Sequence, residues 1–117
     1  MSERDTQTSI LLALSHGPTR LLRVNAGVAW QGRVLQHNRD LLVLEHPRAV
    51  RLAAPGVSDL LGWTEGGRFV AIEVKAPRGR LTDEQAAFIE LVRGSGGLAG
   101  VARSVDDARA ILEGRAP

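Results

Sequence analysis

Cysteine and tyrosine are both absent from the 117 residues. Without cysteine there is no disulfide framework, no thiolate metal site and no thiol nucleophile. With tyrosine missing too, almost nothing titrates between neutral pH and the arginines. A formal net charge of only +2 therefore gives an isoelectric point near 10.4. That basicity is mild, compatible with nucleic acid without requiring it. Long apolar runs are missing as well. The longest, Ile10 to Leu14, falls far short of a membrane span or a signal-peptide core, which predicts a soluble, intracellular protein. Repeats and low-complexity segments are absent. A charged fraction of 24% and a hydrophobic fraction of 44% are globular values that argue against disorder. The length predicts one domain over residues 1–117, enough for a single core and too little for two. The three histidines, His16, His37 and His46, fall in expected turns without metal-ligand spacing.

Lysine is almost missing too: Lys75 is the only one, against fourteen arginines. It closes the stretch Phe69-Val70-Ala71-Ile72-Glu73-Val74-Lys75, which reads as a strand bounded by Gly66-Gly67 and Pro77. Val70, Ile72 and Val74 point to one face, Glu73 and Lys75 to the other. An acid and a base at the end of an apolar strand are costly to bury unless something pairs them. Lysine, unlike arginine, is a compact point charge whose pKa can shift, and its use here points to chemistry.

Upstream, Pro55-Gly56-Val57-Ser58-Asp59 leads into a second strand ending at Trp63-Thr64. The turn between the two strands decides whether a site exists. A three-residue loop, Glu65-Gly66-Gly67, sets Trp63 against Phe69, Leu61 against Ala71 and Asp59 against Glu73. A two-residue Gly-Gly turn shifts the register by one, places Asp59 opposite Val74 and disperses the site. The first register opposes two carboxylates, which is unfavourable unless a cation lies between them. Carboxylate and carbonyl oxygens without sulfur suit Mg²⁺ or Mn²⁺.

Around this hairpin the pattern predicts a helix from about Glu3 to Ser15, with Glu3, Gln7, Ile10, Leu11 and Leu14 on one face. Glu3 either reaches a site at the edge of the core or is a solvated acid near a helix N-terminus. Strand candidates follow at 21–24, 28–35 and 41–45, with a weaker one at 49–53 and turns at 25–27 and 36–38. Arginines 23, 33, 39, 48 and 51 recur through them, either as a phosphate-facing surface or as scattered surface charge. Thr82 and Gln85 fit a capping box at the start of a helix running to about Arg93. Gln85 shares a face with Phe88, Ile89 and Val92, so a second role toward the sheet stays open. A strand at 98–102 and a last helix at about 105–113 complete the chain.

This α/β order of helix, antiparallel strands, helix, strand, helix, with thirteen residues between Asp59 and Glu73-Val74-Lys75, resembles the PD-(D/E)xK nuclease superfamily. Its fold is restriction-endonuclease-like. Arg23 to Trp30, Pro55 to Asp59, Leu81 to Gln85 and Gly97 to Ser104, with Glu3 to Gln7 before an apolar helix, resemble the VRR-NUC (virus-type replication-repair nuclease) family. The likeness is to its small stand-alone phage and prophage members. By that resemblance Asp59, Glu73 and the Val74 carbonyl would hold Mg²⁺ or Mn²⁺. Lys75 would orient or activate the attacking water and stabilise charge on the scissile phosphate. Glu3 would match the first-helix acid, with Asp5 close enough to be that acid instead, and Gln85 the glutamine after the ExK strand. Arg23, Asn25, Arg78 and Arg80 would contact DNA. The resemblance implies a structure-selective DNA endonuclease for branched DNA such as Holliday junctions, a homodimer, and the cytoplasm of a bacterial host. Two other readings remain: a non-catalytic nucleic-acid-binding module on the same fold, and an interaction protein with an ordinary strand salt bridge.

Overall fold

A computed structural model describes residues 2–24, 27–51 and 53–116. Helix α1 (Glu3–Leu14) is followed by strands β1 (Arg20–Arg23), β2 (Val28–His37), β3 (Leu42–Arg51), β4 (Leu60–Thr64) and β5 (Arg68–Val74). Helix α2 (Asp83–Gly94), strand β6 (Leu98–Ala102) and helix α3 (Val105–Leu112) close the chain. The described residues form two compact units, the β2–β3 ribbon and the remainder.

The larger unit is built on a four-stranded mixed sheet in the order β1-β4-β5-β6, with only β5 and β6 parallel. This is the α/β architecture expected of a restriction-endonuclease-like core. Over Val70–Ile72, central β5 is apolar on both faces because both are covered there. Val70, Ile72 and Val74 pack with Ile10 and Leu14 of α1 and Ala108 and Ile111 of α3. Ala71 packs on the other face with Ile89 and Val92 of α2 and Ala99 of β6. Burying each such valine, leucine or isoleucine side chain stabilises the fold by roughly 1.5–3 kcal/mol. At Gly62 of β4 a Cβ would lie 1.8 Å from the Arg20 carbonyl oxygen, so β1 approaches β4 only because no side chain is there.

All three helices start on side-chain caps. The Ser2 hydroxyl accepts from the Asp5 amide, Thr82 from Gln85 and Ser104 from Asp107. In the first two the third residue's side-chain oxygen accepts in return from the cap amide, giving full capping boxes.

The smaller unit departs from expectation. Residues 42–51 form one continuous strand where two separate ones were expected. His46 takes a left-handed φ of 51° beside Pro47, and the register shifts between Gln31 and Arg33. A bulge thus absorbs a proline that seemed to end a strand. The turn lies at Asn38–Leu41 instead of 36–38. The Asn38 side-chain oxygen accepts from the Asp40 amide at 2.9 Å and the Leu41 amide at 3.0 Å. The ribbon carries several exposed apolar side chains, Trp30 among them. Arg33 pairs with Glu45, and Arg48 donates to the Gln31 side-chain Oε1. Asn25 and Ala26 of the expected 25–27 turn, and Leu52 of the weaker strand, lie outside the described residues.

Candidate active site

The hairpin β4–β5 turns through Glu65–Gly67, a three-residue loop. Its pairing sets Thr64 against Arg68, Trp63 against Phe69, Leu61 against Ala71 and Leu60 against Ile72. Asp59, the residue before β4, therefore comes abreast of Glu73. Its Oδ2 accepts the Val74 amide at 2.8 Å, and its own carbonyl accepts the Val24 amide at 2.8 Å. Both ends of Asp59 are fixed by neighbouring strands. The loop before it presses on α2: Gly56 has φ 89°, and a Cβ there would lie 2.4 Å from the Glu84 carbonyl oxygen. Only glycine fits that approach.

Glu73 is 2% exposed. Its Oε1 accepts from Gln85 Nε2 at 3.1 Å and lies 3.8 Å from Lys75 Nζ. Its Oε2 is buried and has no protein partner. Burial first, and the Asp59 charge second, push the Glu73 carboxyl up to about 8, with Lys75 only partly opposing them. A divalent cation would offset that repulsion and satisfy the orphaned oxygen, so the two carboxylates fit such an ion. Among the described residues no cluster of three or more His, Cys, Asp or Glu forms. A cation here would rest on two carboxylates with a backbone carbonyl, that of Val74 in the expected set.

Gln85 carries both of its readings at once. Its carbonyl oxygen accepts the Thr82 amide at 2.9 Å while its NH₂ donates to Glu73. The helix cap therefore aims the amide group at the site. Glu3 is exposed in the first turn of α1 and is not gathered with Asp59 and Glu73. Asp5, the alternative first-helix acid, is occupied by the cap, where hydrogen bonds from Ser2 hold its carboxyl below the usual range. Arg23 is exposed and donates to Gln7 at 2.9 Å and Thr8 at 3.1 Å, tying β1 to α1. Asn25 lies outside the described residues. Arg78 and Arg80 stand exposed on the loop after β5.

Sequence reasoning missed Arg103. Its Nη1 donates to the carbonyls of Ala76 at 2.6 Å and Gly79 at 2.9 Å, bracing the loop that carries Arg78. The signal lies in the parallel register, which pairs Val74 with Ala102 and so brings Arg103 next to Lys75. Ser58 was also overlooked. Its hydroxyl is fully buried beside Asp59 without a protein partner.

The VRR-NUC domain matches residues 5–106, nearly the whole chain. No curated protein matches it significantly. No helix among the described residues is long and apolar enough to cross a membrane.

Proposed function

We propose, from the premise that the chain belongs to the VRR-NUC family of nucleases, that it is a metal-dependent, structure-selective DNA endonuclease. Its substrates would be branched DNAs such as four-way junctions, cut by a homodimer, because such a junction needs two symmetric incisions. The reading is carried by one observation: Asp59 and Glu73 converge at the end of β5, with an unpartnered buried oxygen, beside the single lysine.

A divalent ion, Mg²⁺ or Mn²⁺, held by Asp59, Glu73 and the Val74 carbonyl would supply Lewis acidity toward water and the scissile phosphate, on the order of several kcal/mol. The chain's own residues prepare for this. The Val74 amide holds one Asp59 oxygen in place and leaves the other for a ligand. Gln85 fixes the Glu73 carboxylate from the α2 side. The Lys75 ammonium, largely buried but not sealed, orients the attacking water and offsets charge developing on the phosphate. Arg78 and Arg80, with Arg23, supply cations for the flanking phosphates. Glu3 joins only if α1 shifts its first turn toward a bound substrate. All of this fits a single nuclease domain over residues 1–117.

The test is cleavage of labelled four-way junction, flap and linear duplex DNA with Mg²⁺, with Mn²⁺ and with EDTA. Glu73→Ala protein runs in parallel. Metal-dependent, junction-preferring cuts lost in the variant are expected. Binding without cuts on any substrate overturns the proposal in favour of a non-catalytic binding module.

A further inference from the structure

Lys75 is followed by Ala76-Pro77-Arg78-Gly79, with proline second and glycine fourth, as a tight turn prefers. The turn forms: the Gly79 amide donates to the Ala76 carbonyl at 2.9 Å. It folds back on the lysine stem, because a Cβ at Gly79 would lie 3.4 Å from both Cβ and Cδ of Lys75. Only 13% of the lysine side chain is exposed, and its Nζ lies 3.8 Å from Glu73 Oε1. The parallel register sets Val74 beside Ala102, and the Lys75 amide donates to the Ala102 carbonyl at 3.1 Å as the last rung. Lys75 and Arg103 therefore leave the sheet side by side, at the carboxyl ends of β5 and β6.

Arg103 closes that turn from outside. Its Nη1 donates to the carbonyls at both ends, Ala76 at 2.6 Å and Gly79 at 2.9 Å, and such charge-assisted bonds are stronger than neutral ones. The arginine is itself anchored. Its backbone amide donates to Asp107 Oδ2 at 2.9 Å, and the Asp107 amide donates to the Ser104 hydroxyl at 3.1 Å. Toward α1 the turn meets no tight wall. A depression of about 190 Å³, lined by Thr6, Ser9, Pro77 and Arg103 among others, opens there, so a released turn has room to swing. The lysine ammonium rides on a flexible four-carbon stem, and it stays at one point only while that stem is confined. We infer that Arg103 is the positioning residue of Lys75: by pinning the 76–79 turn it holds the ammonium beside Glu73, without touching the reacting atoms itself. The inference rests on the nuclease reading only for its effect on cleavage.

Because Lys75 is the only lysine, acetylation by an amine-reactive ester reads its accessibility directly. The metal-free full chain is labelled at one fixed pH without DNA, and peptide masses separate Lys75 from the α-amine. Arg103→Met should label Lys75 about tenfold faster than the unsubstituted chain, equivalent to about 1.4 kcal/mol. In junction cleavage the same variant should lose about tenfold in kcat with KM unchanged, since Arg103 acts through Lys75 and not on DNA. Thermal melts check that it folds. Should it not, Arg103→Gln, which keeps a donor but lacks the guanidinium fork, takes its place. An unchanged Lys75 labelling rate overturns the inference. So does an equal rise in Gly66→Ala, which strains the opposite end of β5 at a φ of 76° and reports destabilisation alone. A raised KM with kcat intact assigns Arg103 to a phosphate contact and overturns it as well. If the protein cuts no DNA, the nuclease reading falls and the labelling still decides, because it needs neither metal nor substrate.

Discussion

Glu73 holds its proton well above the ordinary range because the fold buries it beside Asp59. The consequence for stability follows from proton counting. Its folded pKa of about 8 lies above the ordinary value of 4.5, so between these values the folded state binds more protons than the unfolded one. Metal-free stability should therefore fall as pH rises from about 4.5 toward about 8 and level off beyond, a loss on the order of a few kcal/mol. Urea midpoints in chelator at pH 5 and pH 8.5 check this, and Glu73→Gln should flatten the difference. A midpoint that rises across the window contradicts the assignment. Lys75 carries a different expectation. Lys75→Ala should lower cleavage by about 10²–10³-fold while DNA binding, measured by gel shift, survives. Loss of both together, or of neither, counts against its role. At this scale the sequence narrowed the hairpin to two registers, and the three-residue loop is the one that gathers Asp59 with Glu73 and Lys75, while the capping box marked Gln85 without deciding whether it also faced the sheet. Arg103 was hidden because its partners are backbone carbonyls brought near by a parallel crossover, which leaves no local pattern.

Among the elements, the loop before β4 does the positioning. Gly56 allows it to lie against the first turn of α2, and Asp59 inherits its place from that contact. Gly56→Ala should destabilise the protein by at least about 1 kcal/mol, from the left-handed φ and the steric clash together. It should also reduce cleavage beyond what the loss of folded protein explains. Gly66→Ala is the control: its φ of 76° is equally strained, but a Cβ there meets nothing within 4 Å. Melting temperatures and cleavage rates of the two variants separate strain from displacement, and equal effects on cleavage would refute the positioning role. Helices were legible because caps and periodicity agree, as at Ser2, Thr82 and Ser104. The extent of β3 was not, because Pro47 signals a break locally while the opposite strand supplies the pairing that carries it through a bulge.

For the whole molecule, the mixed sheet explains why one face bears the carboxylate pair and the other only core. The face toward α1 and α3 is filled by Val70, Ile72 and Val74 with their helical partners. The face toward α2 holds Glu73 at one end and the exposed Trp63 and Phe69 at the other. The order of strands was partly legible, since a hairpin followed by a helix and a further strand points to a parallel return. The division into two units was not, because the alternation along residues 28–51 looks the same whether a strand joins the main sheet or pairs only with its neighbour. The Val24 amide and the Asp59 carbonyl close a 2.8 Å hydrogen bond, so the chain leaves the core and re-enters it at adjoining points. The ribbon is in effect a cassette on a closed frame. Loop-closure entropy changes by only about 0.6 kcal/mol for each doubling of length, so residues 28–51 are replaceable by a short glycine-serine linker at little cost to the frame. The shortened chain should melt cooperatively and retain the pH-dependent stability of Glu73. A chain of this fold could therefore exchange its ribbon for another without rebuilding its carboxylate pair.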